Sequence, residues 1–123
     1  MEEAREIGDV GGGESSDLTQ VLRVIHQNYA GKLSVRALAE QAHISVSTLE
    51  RRFEESLGMS PSTYVKKIRL ANAARLLSEQ CSVTEAAERS GFSDVSAFIA
   101  AFRKNYGASP LQYKKRIERQ SEQ

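Results

Sequence analysis

One pattern of apolar and turn residues occurs twice in this chain and sets the terms of its fold. H-I-S, S-x-L, F and G-x-S-P-x-x-Y follow one another from His43 to Tyr64, and G-F-S, S-x-F, F and G-x-S-P-x-x-Y follow one another from Gly91 to Tyr113. Ser45 matches Ser93 at an offset of 48, whereas Leu49 and Phe98, Phe53 and Phe102, Gly58 and Gly107, Pro61 and Pro110, and Tyr64 and Tyr113 match at 49. One residue has therefore been added at the start of the second copy's last helix. A chain with such a repeat folds the same small unit twice.

The spacing within each copy is helical. Residues 1–16 combine acids with Gly11-Gly12-Gly13 and few apolar residues, so they are expected to form a flexible leader or linker. Asp17 then caps a helix whose stripe is Leu18, Val21, Leu22, Ile25 and Tyr29 and which Gly31 ends. Ser34 caps a short helix carrying Val35, Leu38, Ala39 and Ala42. A turn at His43, a residue that tolerates unusual backbone angles, leads to the cap Ser45 and a helix ended by Gly58. Ser60-Pro61 opens a longer helix with Tyr64, Val65, Ile68, Ala71 or Ala73, Leu76 and Leu77 on its apolar side. The second copy begins at Ser82, turns at Gly91-Phe92-Ser93 and continues in a helix bearing Val95, Phe98, Phe102 and Tyr106. Phe53, Tyr64, Phe92, Phe98, Phe102 and Tyr113 are expected in the core. The resulting division is a leader (1–16), a first unit (17–59), a linker helix (60–79), a second unit (80–118) and a polar tail (119–123).

Two short helices crossing closely through a turn, the second apolar on one face only, form a helix-turn-helix arrangement. On a wheel of about 100° per residue, Val46, Phe53 and Leu57 fall beside Leu49, while Ser47, Thr48, Arg51, Glu54 and Glu55 fall opposite. Such a helix can be offered to the major groove of DNA. The linker helix, at about 18 to 20 residues and 1.5 Å each, spans about 27 to 30 Å, near the roughly 34 Å between successive major-groove turns on one side of a duplex. One chain can then serve two adjacent grooves as a monomer on a site without two-fold symmetry.

Charge and composition fit this reading. The net charge of +1 hides an acidic first stretch, since residues 18–123 hold 16 bases and 10 acids. A basic folded part suits an anionic partner. The one cysteine, Cys81, excludes an internal disulfide, and no apolar run approaches a membrane span or signal sequence. A cytoplasmic, nucleoid-associated protein is expected. With His26 and His43 the only histidines, no metal site is expected, nor a cofactor. No nucleophile, base and orienting residue converge, so an enzyme is not expected either. A helical protein-interaction module, contacting for example RNA polymerase, is the alternative to DNA binding.

From Leu18 to about Arg116 the chain resembles the DNA-binding domain of AraC/XylS-type bacterial transcription regulators. The resemblance rests on A-x-x-x-H-I-S-x-x-x-L-x-R-x-F (39–53), G-x-S-P-x-x-Y (58–64), R-L-x-x-A-x-x-L-L (69–77) and A-x-x-x-G-F-S…F…F-R-K…G-x-S-P-x-x-Y (87–113). It implies an all-α fold of about seven helices, two helix-turn-helix units flanking a long linker helix. It further implies a promoter-bound activator or, less often, a repressor, and commonly a ligand-sensing or dimerising domain elsewhere in a longer protein. A small stand-alone regulator is the competing view.

Arg51 matches the arginine of L-x-R-x-F and is the leading candidate for a bidentate contact to guanine. Ser47 and Thr48 read a base edge or thymine methyl, or are merely polar residues of a helix start; Glu50 accepts from a cytosine amino group or pairs with a neighbouring base. On the second helix Ser96, Ala97 and Ala100 face the bases, and Ala100 stands where Arg51 does in the first copy. The second unit is then expected to hold on through Arg103 and Lys104 to phosphate, with Ser34, Ser82 and Thr84 as further phosphate contacts or as caps alone. Glu54 and Glu55 lie beyond the groove or limit non-specific affinity. Lys66, Lys67 and Arg69 solvate the linker helix or form structural pairs.

Overall fold

The computed structural model describes residues 12–121, with side chains for 18–120. Among them are seven helices and no strand: α1 Gly12–Asn28, α2 Val35–Gln41, α3 Val46–Leu57, α4 Pro61–Ser78, α5 Val83–Arg89, α6 Val95–Tyr106 and α7 Pro110–Ser121. They group into two compact units, residues 12–28 with 33–65 and residues 29–32 with 66–121, so that α4 gives its first turn to one and the rest to the other.

The caps follow from local chemistry. The hydroxyl oxygens of Ser34, Ser45, Ser60 and Ser82 accept the backbone N–H of Ala37, Thr48, Thr63 and Glu85 at 3.0 to 3.2 Å. Each satisfies a first-turn donor that no helical carbonyl can reach. At α7 the exchange is reciprocal, because Gln112 donates to the Ser109 hydroxyl and returns its side-chain oxygen to the Ser109 N–H. α3 and α6 stop at Gly58 and Gly107, both left-handed. α2 and α5 stop in a turn where the N–H of Ile44 reaches the carbonyl of Ala39, and that of Phe92 the carbonyl of Ala87, across left-handed His43 (φ 61°) and Gly91 (φ 104°).

Several boundaries differ from the sequence reading. α1 starts at Gly12, so Asp17 lies inside the helix and not at its cap. Of the expected leader, residues 1–11 lie outside the described residues. α1 also ends at Asn28, before Gly31, where the Asn28 side chain amide donates to the Val24 carbonyl. α7 continues through Ser121, into the stretch read as a tail. The residue added to the second copy sits in the turn: α5 follows α2 by 48 and α6 follows α3 by 49, and the cap of α6 is Asp94, whose carboxylate accepts from Ser96 and Ala97 N–H.

In the first unit α1 packs on α2 and α3, and these two pack on each other. Val21, Ile25, Leu38, Ala39, Leu49 and Phe53 are buried there. Tyr64 is half-buried, its ring edge-on to Phe53 and its hydroxyl 2.8 Å from His26 Nε2. Burial raises the Tyr64 pKa. In the second unit Leu70, Ala73, Leu76 and Leu77 of α4 meet Ala86 and Ala87 of α5 and Phe98 and Phe102 of α6. Ala73, not Ala71, is the inward residue. Tyr106 and Tyr113 stack around Phe102 at ring separations of 4.5 and 5.3 Å. Each buried phenylalanine contributes about 1.5 to 3 kcal/mol. Phe92 and Tyr113, like Tyr64, are half-buried where a core position was expected, and the two tyrosines can keep their polar tips near water.

Candidate nucleic-acid interface

α3 buries Leu49 and Phe53 and leaves Ser47, Glu50, Arg51, Glu54 and Glu55 exposed, with Thr48 half-buried. Its start is fixed by Ser45, which accepts from the Thr48 N–H and donates to the Thr48 hydroxyl at 2.9 Å. Thr48 is thereby held against the cap, with its own hydroxyl proton and a second lone pair still unspent on Ser45. Replacing Ser45 with Ala removes both bonds. The expected cost is about 1 kcal/mol, read in a thermal melt as a midpoint lower by about 5 °C.

Val46 departs from the wheel, being 37% exposed where the apolar face was expected. As the first residue of α3, it leans back past the helix end, where no earlier turn stands beneath it. Arg51 lies on the outer face with its guanidinium Nη1 3.7 Å from Glu55 Oε1, an ion pair that the sequence reading did not identify. Arg and Glu at i and i+4 were its available signal.

α6 repeats the design with different outer chemistry. Phe98 and Phe102 are buried, and Ser96, Ala97, Ala100, Arg103 and Lys104 are exposed beside a 36% exposed Ile99. Asp94 at its cap is a carboxylate where α3 has a hydroxyl, a second feature absent from the sequence reading.

The starts of the short helices differ in charge. Ser34, Ser82 and Thr84 are all exposed, and both serines spend an acceptor lone pair on their own helix while keeping a proton to donate. α2 has no acid in its first turn, but α5 has Glu85, paired with Arg89 at 3.6 Å. A carboxylate there makes the start of α5 less favourable to a negative charge than that of α2. Each group of predicted residues is assembled within its own unit: Ser34, Ser47, Thr48, Glu50 and Arg51 in the first; Ser82, Thr84, Ser96, Ala97, Ala100, Arg103 and Lys104 in the second. Of the linker-helix bases, Lys67 reaches Asn105 at 3.4 Å. Arg69 is structural: its Nε donates to the Tyr29 carbonyl and its Nη2 to that of Gly31, and burial lowers its pKa. Among the described residues no three or more His, Cys, Asp and Glu gather as metal ligands do, and no helix is long and apolar enough to cross a membrane.

Two units, each leading a short capped helix through a left-handed turn into a helix with one buried and one exposed face, define a double helix-turn-helix protein. Residues 38–116 match a family described as a helix-turn-helix domain, and the chain belongs to that family in its AraC type. The HTH-type transcriptional activator RhaS of Escherichia coli (strain SE11) is 35% identical over 97 residues, a match covering 78% of this chain and 35% of RhaS. The chain thus corresponds to about a third of that relative's length. A solved transcriptional regulator from Chromobacterium violaceum, with an AraC-type DNA-binding domain, superposes with a TM-score of 0.79 at 27% identity over 85% of this chain and 95% of that one. The DNA-binding domain of AdpA, solved in complex with a target DNA, gives 0.76 at 29% identity over 90% and 97%.

Proposed function

We propose that this chain is the DNA-binding part of a transcription regulator and that α3 and α6 each enter the major groove of double-stranded promoter DNA. The observation that carries the reading is the capped, outward face of α3, centred on Arg51 and repeated in frame at α6. The AraC-type relatives support it, among them the AdpA domain solved on its target DNA. Arg51 is the leading base reader, aided by Ser47, Thr48 and Glu50, and Ser34 meets phosphate. In the second unit Ser96, Ala97 and Ala100 can offer the bases a small surface, whereas Arg103 and Lys104, with Ser82 and Thr84, hold the backbone. Residues 17–59 and 80–118 act as the two binding units about the linker helix 60–79. On this reading the domain works as a monomer in the cytoplasm, with RNA polymerase as a further partner at an activated promoter.

The test is affinity for promoter DNA across a salt series. Each phosphate neutralised contributes about −0.9 to the slope of log K against log salt, so Arg103 and Lys104 alone predict about −2 or steeper. Binding indifferent to salt, or none, would sink the proposal.

A further inference from the structure

α3 and α6 match position for position over 12 residues, and their inner faces agree: Leu49 with Phe98, Phe53 with Phe102. Their outer faces disagree in sign. Glu54 stands where α6 has Arg103, and Glu55 where it has Lys104, all four exposed.

Helix stability does not account for the acids. Both lie in the C-terminal part of α3, where the negative end of the helix dipole disfavours a carboxylate and where α6 has its two cations. The Arg51–Glu55 pair at 3.7 Å also has the less favourable order, acid following base at i+4. Two carboxylates at the helix end that disfavours them, only one of them offset by the Arg51 pair, on the face that bears the leading base reader point to a functional device.

We infer that Glu55, with Glu54 beside it, is a specificity-determining group for the DNA reading of α3, on which this inference rests. In the free chain Glu55 occupies the Arg51 guanidinium. On an unrelated sequence Arg51 leaves that carboxylate without gaining two acceptors on guanine, and Glu54 and Glu55 are left facing phosphate. On the right sequence the bidentate contact replaces the pair. Selectivity then comes from repulsion of the wrong duplex as well as attraction to the right one. α6, with Arg103 and Lys104 at the same places, attracts any sequence.

The experiment measures the whole chain by competition anisotropy on the duplex recovered by selection from random DNA and on an unrelated duplex of equal length. Glu55→Gln, and more so Glu54→Gln with Glu55→Gln, is expected to raise affinity for the unrelated duplex about five-fold and for the selected duplex by less than about two-fold, narrowing the ratio. Glu79→Gln, just past α4 in the second unit, removes the same charge from a base–acid pair of the same order and is expected to leave the ratio unchanged. Equal gains on both duplexes, or an effect no larger than that of Glu79→Gln, overturn the inference while the DNA reading stands. A parent chain that binds neither duplex removes that reading, and the inference with it.

Discussion

Gly91→Ala is expected to destabilise the chain by about 3 to 5 kcal/mol, far more than the same change at the other left-handed glycines. Gly91 has φ +104°, and a Cβ added there would stand 2.7 Å from the Tyr29 carbonyl oxygen, 2.8 Å from Arg69 Nε and 3.1 Å from Ala30 Cα. Two of the three atoms are backbone and cannot swing aside. The third is fixed, since Arg69 Nε donates to that same Tyr29 carbonyl at 2.7 Å while Nη2 holds Gly31 at 2.9 Å. A methyl group here strains the backbone by about 1 to 3 kcal/mol and overpacks the contact by about as much. It also parts a half-buried guanidinium from its acceptor. At Gly58 and Gly107 an added Cβ meets nothing within 4 Å, so Ala should cost only the left-handed penalty of about 1 to 2 kcal/mol. Denaturant unfolding of the three variants gives the ranking. A Gly91→Ala loss no larger than that of Gly58→Ala would contradict this packing of the turn against Arg69.

The same turn shows what could be read from the sequence. His43, the matching residue in the first copy, is exposed and takes φ 61° as a non-glycine, so the left-handed turn was legible at both places from residue type and repeat. What Gly91 packs against was not, because Tyr29 and Arg69 are 40 residues apart and no local pattern joins them. The caps at Ser34, Ser45, Ser60 and Ser82 were legible for the opposite reason: donor and acceptor lie three residues apart. The wheel of α3 likewise placed Ser47 and Arg51 outward and Leu49 and Phe53 inward. It failed at Val46 because a wheel assumes a turn on either side, which a first residue lacks. Asp94 escaped notice because the repeat pointed to Ser93, and the residue added in that turn handed the cap to its neighbour. The seven helices followed from periodicity and the family resemblance together, but the extent of α1 did not, since a residue of capping type such as Asp17 can also lie within a helix.

For the interface, the largest expected effect is at Arg51. Arg51→Ala should weaken binding to the selected duplex by about 1 to 3 kcal/mol, some five- to 150-fold, and should relax preference at one base pair. The unrelated duplex should lose clearly less, because the contact that is lost is to a base edge that only the selected sequence presents. Lys104→Ala should do the reverse: both duplexes weaken alike, and the salt slope falls in magnitude by about 1. The asymmetry has a reciprocal test at Ala100, the exposed position of α6 that matches Arg51. Lys104, four residues on, stands where Glu55 does in α3, so a new arginine at 100 would meet no carboxylate to occupy it. Ala100→Arg should therefore raise affinity for all DNA and add a guanine preference in the second half-site, without the selectivity that α3 draws from its acids. Selection from random DNA with parent and variant reads this directly, as information gained at one position and lost at none. If Arg51→Ala lowers affinity for both duplexes by the same factor, Arg51 contacts phosphate and the reader must be sought elsewhere on α3.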